Sequence, residues 1–262
     1  MGKKRKAQAK SERPQIKNSK WQKIEPVTRN QQHLVKSINE NAISFITGPA
    51  GTGKTFLSLA SAVKLVKEKK YKRIMITRPQ VATKKMPFLP GTEAEKNAPF
   101  IRPIRDALSK ILSPSEIDKM LNMKIIEGIT LEYMRGMSID NTIVILDEAQ
   151  NVEEKEILMF LTRIGQNSKF IVTGDIYQTD LKENSGLAIA SAILESIPGI
   201  GIVELDLDDI VRNPLVKSIV QRFAMFSETK RNSNTRGNDT EFEAPDYLSA
   251  VLNDSEFFDD YD

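Results

Sequence analysis

A glycine-rich octapeptide, GPAGTGKT at residues 48–55, limits the possible folds of this chain more than any other feature. The apolar run ISFIT precedes it, and a helix-like run begins at Thr55. A strand, a tight glycine turn and a helix in this order let backbone N–H groups point at phosphate groups, and the helix N-terminus adds partial positive charge. The spacing therefore predicts a phosphate-binding loop between a strand and a helix.

Further short apolar runs alternate with helix-like segments along the chain. The runs are RIMIT (73–77), KIIEGI (124–129), TIVILDE (142–148), KFIVTGD (169–175) and IGIVEL (200–205). The later helix-like segments are FIRPIRDALSKIL (100–112), EKEILMFLTRI (154–164) and SGLAIASAILESI (185–197). This alternation predicts an α/β fold with a mostly parallel sheet and helices on both faces. Because ligands of such sheets bind at the carboxyl ends of the strands, we expect the functional residues there.

The phosphate loop itself supplies the expected nucleotide-binding residues. They are Gly48, Pro49, Ala50, Gly51, Thr52, Gly53, Lys54 and Thr55. Lys54 is suited to reach the β- and γ-phosphates of ATP, and the Thr55 hydroxyl is suited to bind Mg²⁺. The chain has no cysteine and a single histidine, His33, so a bound metal must use oxygen ligands, which favours magnesium.

The run TIVILDE ends in two acidic residues, Asp147 and Glu148. Asp147, at the strand end, is expected to bind magnesium, and Glu148 is expected to act as the general base that polarises the attacking water. An exposed acidic turn is the alternative interpretation. A P-loop kinase passes phosphate to a substrate hydroxyl and needs no water-activating glutamate here, so the pair favours hydrolysis over phosphate transfer.

Other polar residues follow the predicted strands or precede the first one. Gln178, after KFIVTGD, is suited to sense the γ-phosphate. Arg78 follows RIMIT, and Arg212 follows the last strand; either can supply the guanidinium that phosphoryl transfer requires, and a structural salt bridge is an equal alternative for each. Upstream of the first strand, NQQHL (30–34) offers a glutamine amide that can pair with the adenine edge.

Charge separates the two ends of the chain from its body. Residues 1–25 carry nine Lys and Arg against two acids and are interpreted as a basic flexible arm. Residues 228–262 carry three against ten and are interpreted as a linker and an acidic aromatic tail that can dock on a protein partner. The catalytic domain is then expected at 26–227. No apolar run reaches 18 residues, so we expect no membrane span and a cytoplasmic location.

Seven motifs occur in an order that resembles the PhoH-like ATPase family over about residues 26–225. They are GPAGTGKT, TRP (77–79), FLPGT (88–92), ILDEAQN (145–151), TGDIYQTDL (173–181), SGL (185–187) and VRNPLV (211–216). The family is similar to the first motor domain of superfamily 1 helicases. The resemblance implies a RecA-like P-loop NTPase core that binds ATP and Mg²⁺, with a link to RNA or single-stranded DNA.

The resemblance also implies a role for individual residues. Gln31 matches the adenine-contact glutamine, residues 48–55 the Walker A loop, and Asp147 with Glu148 the Walker B pair. Gln178 matches the motif III glutamine, and Arg212 matches the late arginine.

Helicases of this type bind ATP between two RecA-like domains, whereas this chain has room for one. We therefore expect a homo-oligomeric ring, with a hexamer as the first hypothesis, in which Arg212 reaches a neighbouring ATP site. Within KKMPFLPGT (84–92), Lys84, Lys85 and Phe88 offer charge and a stacking face for a nucleic-acid track. Arg102 and Arg105 lie further along the same insertion, and a solvated basic loop is at least as good an interpretation of this segment. The main functional hypothesis is a helicase-like ATPase motor on RNA or single-stranded DNA. The alternative is an ATP-gated assembly module that acts on protein partners.

Overall fold

The computed structural model describes residues 25–79, 103–176, 178, 185–211, 215, 217–219 and 222. The basic arm up to residue 24, segment 84–92, Arg212 and the acidic aromatic tail lie outside the described residues. The chain divides into two compact units, Met1–Lys217 and Ser218–Asp262, and every strand among the described residues belongs to the first. In the described part of the chain, no helix is long and apolar enough to cross a membrane.

Six parallel strands form one sheet. They are β1 (Ile43–Thr47), β2 (Arg73–Thr77), β3 (Ile126–Gly128), β4 (Thr142–Leu146), β5 (Lys169–Gly174) and β6 (Ile200–Glu204). Their order across the sheet is β3-β2-β4-β5-β1-β6. The predicted strands and the parallel α/β sheet are therefore confirmed. Because β1, β5 and β4 are neighbours, the segments that follow these three strands meet at the middle of the carboxyl edge.

Helices cover both faces of the sheet, as predicted. They are α1 (Arg29–Glu40), α2 (Lys54–Lys67), α3 (Pro114–Asn122), α4 (Glu154–Leu161) and α5 (Gly186–Leu194), with a further helical segment at 103–108. Side chains of a strand alternate between the two faces. Ile143 and Ile145 of β4 accordingly pack in one core with α1, α2 and α3, whereas Val144 and Leu146 pack in a second core with α4 and α5.

Two helices, α1 and α3, were not predicted from the apolar runs. Each begins with a capping box, in which the N-cap residue and the third helical residue bond to each other's backbone. The Thr28 side chain accepts the N–H of Gln31, and the Glu116 carboxylate accepts the N–H of Ser113 at 3.1 Å. Pro114 at the first helical position is a further start signal. Capping signals therefore mark the first residues of both helices.

Candidate functional site

The phosphate loop joins β1 to α2 at the carboxyl edge of the sheet. Its three glycines, Gly48, Gly51 and Gly53, have φ angles of 140°, 90° and 88°, a region that favours glycine. At Gly48 an added Cβ would also lie 2.3 Å from the carbonyl oxygen of Leu205, so no side chain fits there. Glycine therefore meets the backbone requirement of the loop at all three positions, and at Gly48 it also lets the loop pack against Leu205.

The Lys54 side chain bends back over the same loop. Its Nζ donates to the carbonyl oxygens of Gly48 at 2.6 Å and Pro49 at 2.8 Å. Burial lowers the pKa of Lys54, and the charges of nearby carboxylates oppose that shift. The carboxylates are those of Asp175, Glu148 and Asp147. The loop thus holds a partly buried lysine beside the acidic ends of β4 and β5.

Asp147 is buried directly after β4, and donors from three other segments contact its carboxylate. Thr55 Oγ1 donates to Oδ1 at 2.8 Å, and Thr173 Oγ1 donates to the same oxygen at 2.6 Å. Arg78 donates to Oδ2 from Nη2 at 2.6 Å and from Nε at 3.1 Å. The structure therefore brings together the two expected magnesium ligands, Thr55 and Asp147. It also places Arg78 in a salt bridge, the structural one of its two predicted roles, and adds Thr173, which sequence reasoning missed.

The donor set at this point suits magnesium bound together with a nucleotide. A hydroxyl and a carboxylate are oxygen ligands of the kind that Mg²⁺ prefers. Among the described residues, no group of three or more His, Cys, Asp or Glu side chains could hold a metal ion without further ligands. Mg²⁺ usually keeps several waters and binds through one or two carboxylates plus substrate phosphates. Thr55 and Asp147 match that pattern, with phosphate and water oxygens completing the shell.

Glu148 lies next to Asp147 and has an exposed side chain and a left-handed backbone, with φ 59° and ψ 37°. Its carboxylate accepts a hydrogen bond from Nε2 of Gln150 at 2.8 Å. Gln150 is buried, and its Oε1 accepts the N–H of Asp175 at 3.1 Å. Sequence reasoning assigned no role to Gln150, although a glutamine two residues after the acidic pair was the available signal.

Of the two other predicted catalytic residues, Gln178 is among the described residues and Arg212 is not. Gln178 is exposed near the end of β5, and its backbone N–H donates to the carbonyl oxygen of Asp175 at 3.1 Å. Arg212 lies outside the described residues, one position after Val211.

Gln31 lies beneath the phosphate loop and is buried. Its Nε2 donates to the carbonyl oxygens of Thr52 at 3.0 Å and Asp209 at 3.4 Å. Its Oε1 accepts the N–H of Val27 at 2.8 Å and that of Thr28 at 3.5 Å. An amide side chain has two donor and two acceptor positions, and all four are engaged here. A contact with adenine therefore requires Gln31 to exchange one of these partners.

A family model described as PhoH-like protein matches residues 23–224. The PhoH-like protein of Mycobacterium tuberculosis (strain H37Rv) is 44% identical over 225 residues, which are 82% of this chain and 64% of that protein. The PhoH-like protein of Bacillus subtilis (strain 168) is 44% identical over 210 residues, 79% of this chain and 66% of that protein. The matched part of this chain thus spans less than two thirds of the length of these curated relatives.

Among solved structures, the large terminase of a thermophilic bacteriophage aligns with a TM-score of 0.47 at 10% identity, over 76% of this chain and 50% of the terminase chain. The Hef helicase domain of Pyrococcus furiosus aligns with a TM-score of 0.42 at 13% identity, over 69% of this chain and 38% of its own. The fold assignment rests on the strand order, the phosphate loop after β1 and the family match.

Proposed function

This chain belongs to the PhoH-like protein family, and from that premise we propose that it binds ATP with Mg²⁺ and hydrolyses it. The observation that carries the proposal is the hydrogen bond between Thr55 Oγ1 and Asp147 Oδ1, at 2.8 Å. It joins the start of the helix after the phosphate loop to the acidic end of β4. A P-loop NTPase needs this hydroxyl and this carboxylate on one side of the triphosphate.

In this proposal, backbone N–H groups of residues 48–55 and the N-terminus of α2 bind the phosphates. Lys54 leaves the carbonyl oxygens of Gly48 and Pro49 and donates to the β- and γ-phosphates instead. Thr55 and Asp147 would hold a magnesium ion, which would neutralise charge on the phosphate oxygens. Gln31, next to the loop at Thr52, is proposed to contact adenine.

The hydrolytic step forms a bond between the water oxygen and the γ-phosphorus and breaks the bond from that phosphorus to the β–γ bridging oxygen. Glu148 accepts the proton from the water, and ADP and phosphate leave. Gln178 is proposed to sense the γ-phosphate. Arg212 is proposed to stabilise the charge that develops on the transferring group, from the same subunit or from a neighbour.

The direct test is ATP turnover by wild-type protein and by Glu148→Gln. Loss of the general base is expected to lower turnover by about 10²-fold or more while Mg²⁺-dependent nucleotide binding is kept. Glu132→Gln, at another exposed glutamate, is the matched control and is expected to behave like the wild type. Undiminished turnover in Glu148→Gln would remove Glu148 from the mechanism.

We further propose that hydrolysis is coupled to RNA or single-stranded DNA, as the family's similarity to helicase motors implies. Of the basic residues that sequence reasoning associated with a nucleic-acid track, Arg105 is described, and it pairs with Asp118 at 2.7 Å in an exposed salt bridge. Lys84 and Lys85 lie outside the described residues. The proposal predicts that polynucleotide stimulates turnover and that the double change Lys84→Glu/Lys85→Glu abolishes this stimulation. Turnover indifferent to both RNA and single-stranded DNA would refute the coupling.

A ring of subunits, with a hexamer as the first hypothesis, is proposed to complete the ATP site. The supporting observation is that Arg78, the described arginine at the site, is engaged with Asp147, which leaves the transition-state guanidinium to Arg212 or to a neighbour. Solution mass measured with a non-hydrolysable ATP analogue tests the ring, and a monomer at saturation would refute it.

The second candidate function is an ATP-gated assembly module in the cytoplasm that binds protein partners through the acidic aromatic tail. The composition of residues 246–262, apolar and aromatic side chains among acids, favours it. It predicts turnover that ignores polynucleotide but changes when 246–262 are deleted.

A further inference from the structure

Gln150 lies between Glu148, the proposed general base, and the end of β5. Gln178, the proposed γ-phosphate sensor, follows that strand. Its Nε2 donates to Glu148 Oε2 at 2.8 Å, and its Oε1 accepts the N–H of Asp175 at 3.1 Å. Asp175 in turn accepts, through its carbonyl oxygen, the backbone N–H of Gln178 at 3.1 Å. Hydrogen bonds therefore connect Glu148 to Gln150, Gln150 to the backbone of Asp175, and the backbone of Asp175 to the backbone of Gln178.

The chemistry of the two neighbours requires a side chain at position 150 that donates one hydrogen bond and accepts another. An ionised Glu148 carboxylate can only accept a hydrogen bond, and the backbone N–H of Asp175 can only donate one. One side chain must therefore donate at one atom and accept at the other, in a fixed direction. An uncharged glutamine does this, whereas an ionised glutamate and a methionine of similar length do not.

Packing restricts the Gln150 side chain to this arrangement. Gln150 is 5% exposed, in a short helical turn that lies against β5 and α5. At Gly174 an added Cβ would lie 2.8 Å from Gln150 Oε1 and 2.6 Å from Leu187 Cδ2. Glycine at the end of β5 therefore lets the Gln150 amide reach the backbone of Asp175.

We propose that Gln150 is a positioning residue for hydrolysis, which fixes the Glu148 carboxylate relative to the end of β5. The orientation of the general base then depends on the backbone of Asp175 and, through it, on Gln178. A nucleotide contact that moves Gln178 thereby changes the position of Glu148. This inference rests on the proposed ATP hydrolysis, in which Gln150 itself touches neither nucleotide nor water.

The test is the pH profile of kcat and KM for ATP in Gln150→Glu, Gln150→Met and the wild type. In Gln150→Glu, the introduced carboxylic acid is isosteric with the amide and, while protonated, can donate to Glu148 and accept from Asp175. Two neighbouring carboxylates cannot both ionise freely, so one of them keeps its proton to higher pH than usual. Lys54, Asp147 and Asp175 are the other charged side chains nearby, and they are present in every variant, so their contributions cancel in the comparison.

Turnover by Gln150→Glu is expected to be close to that of the wild type at acidic pH and to fall about 10-fold or more toward alkaline pH, where the wild type stays level. Gln150→Met is expected to lose about 10-fold in kcat at every pH, with KM little changed. Gln166→Glu, at an exposed glutamine, controls for the added charge and is expected to follow the wild-type profile.

Nucleotide affinity and thermal melting, measured for each variant, show whether the fold and the ATP site are intact. A Gln150→Glu profile parallel to that of the wild type would overturn the positioning role and leave the proposed function standing. If Gln150→Glu fails to fold, Gln150→Met decides, because wild-type kcat in that variant would also overturn the role. A wild type without ATP turnover at any pH would overturn the proposed function and this inference together.

Discussion

The two edges of the sheet each bury a charged side chain, and the two charges are stabilised differently. At the carboxyl edge, Asp147 accepts hydrogen bonds from Thr55, Thr173 and Arg78, so partners from three segments compensate its charge. At the opposite edge, Lys169 begins β5, and its Nζ donates to the carbonyl oxygen of Asn41. Within the described residues Lys169 forms no ion pair, and burial lowers its pKa to about 8.

The difference separates a charge that the proposed chemistry uses from one that the fold tolerates. A buried ionisable group stays charged when it has oppositely charged and hydrogen-bonding partners. Without enough of them, its pKa shifts in the direction that favours the neutral form. Asp147 has the partners, and the proposed chemistry requires it to remain charged. Lys169 has little compensation, and nothing in the proposed chemistry requires its charge. We therefore expect that removal of the Asp147 charge lowers ATP turnover, whereas removal of the Lys169 charge leaves turnover unchanged and stabilises the fold.

Removal of the Asp147 charge should have the largest effect. Asp147→Asn keeps the size of the side chain but removes the anionic metal ligand, and we expect Mg²⁺-dependent ATP turnover to fall by about 10²–10³-fold. Asp118→Asn, at an exposed carboxylate paired with Arg105, is the control and should retain wild-type turnover. Full activity in Asp147→Asn would mean that the compensated carboxylate is merely structural.

Loss of the Arg78 cation should have an intermediate effect. Arg78→Gln leaves Asp147 Oδ2 without its charged partner, and we expect the free energy of unfolding to fall by about 2 kcal/mol, since Arg78 is partly exposed. Urea unfolding measures this loss. With Mg²⁺ and a non-hydrolysable ATP analogue the loss should shrink, because the metal ion supplies positive charge at the same carboxylate.

The exposed pair of Arg105 and Asp118 provides the matched comparison for that experiment. Arg105→Gln should change the free energy of unfolding by less than about 0.5 kcal/mol, because both side chains of the pair are exposed. Equal losses in the Arg78 and Arg105 variants would contradict the claim that Arg78 compensates a buried charge.

Replacement of Lys169 should have the smallest effect, in the opposite direction. Lys169→Met keeps the length of the side chain and removes the cost of burying a cation, so we expect the free energy of unfolding to rise by about 1 kcal/mol at neutral pH. ATP turnover should be unchanged. Destabilisation by Lys169→Met would show that the cation is compensated after all.

The pH dependence of unfolding provides a second test of the claim that Lys169 is buried with little compensation. The pKa of Lys169 is about 8 in the folded state and 10.5 as a model value, so between these values the unfolded chain binds more protons. The free energy of unfolding contributed by this group therefore rises as pH increases from 8 toward 10.5. Urea unfolding across this range should show the rise in the wild type and a flatter curve in Lys169→Met.

The strands and the charged residues of the site were predictable from the sequence for a physical reason. Parallel strands are usually buried on both faces and appear as continuous apolar runs. Each of the six strands in the described sheet therefore coincides with a run that was predicted to be a strand. The phosphate loop, Asp147 and Glu148 follow such runs directly. Their position at the carboxyl edge could therefore be predicted without knowledge of the strand order.

The partners of these residues were not predictable, because they depend on that order. Thr173 reaches Asp147 because β4 and β5 are adjacent, with Leu146 opposite Val172. The contact of Arg78 with Asp147 likewise requires β2 beside β4. Gln31 donates to the carbonyl oxygen of Asp209, 178 positions later in the chain. This contact requires β6, which Asp209 follows, to pair with β1, which leads into the phosphate loop. Sequence spacing carries no information about contacts of this kind.

The proposed function requires Mg²⁺-dependent binding of ATP at the phosphate loop. Calorimetric titration with a non-hydrolysable ATP analogue, with and without Mg²⁺, measures it in the wild type, in Lys54→Ala and in the control Lys64→Ala, an exposed lysine of α2. We predict affinity that requires Mg²⁺, is lost in Lys54→Ala and is unchanged in Lys64→Ala. Wild-type protein with no Mg²⁺-dependent affinity, or Lys54→Ala that binds as the wild type does, would contradict the account.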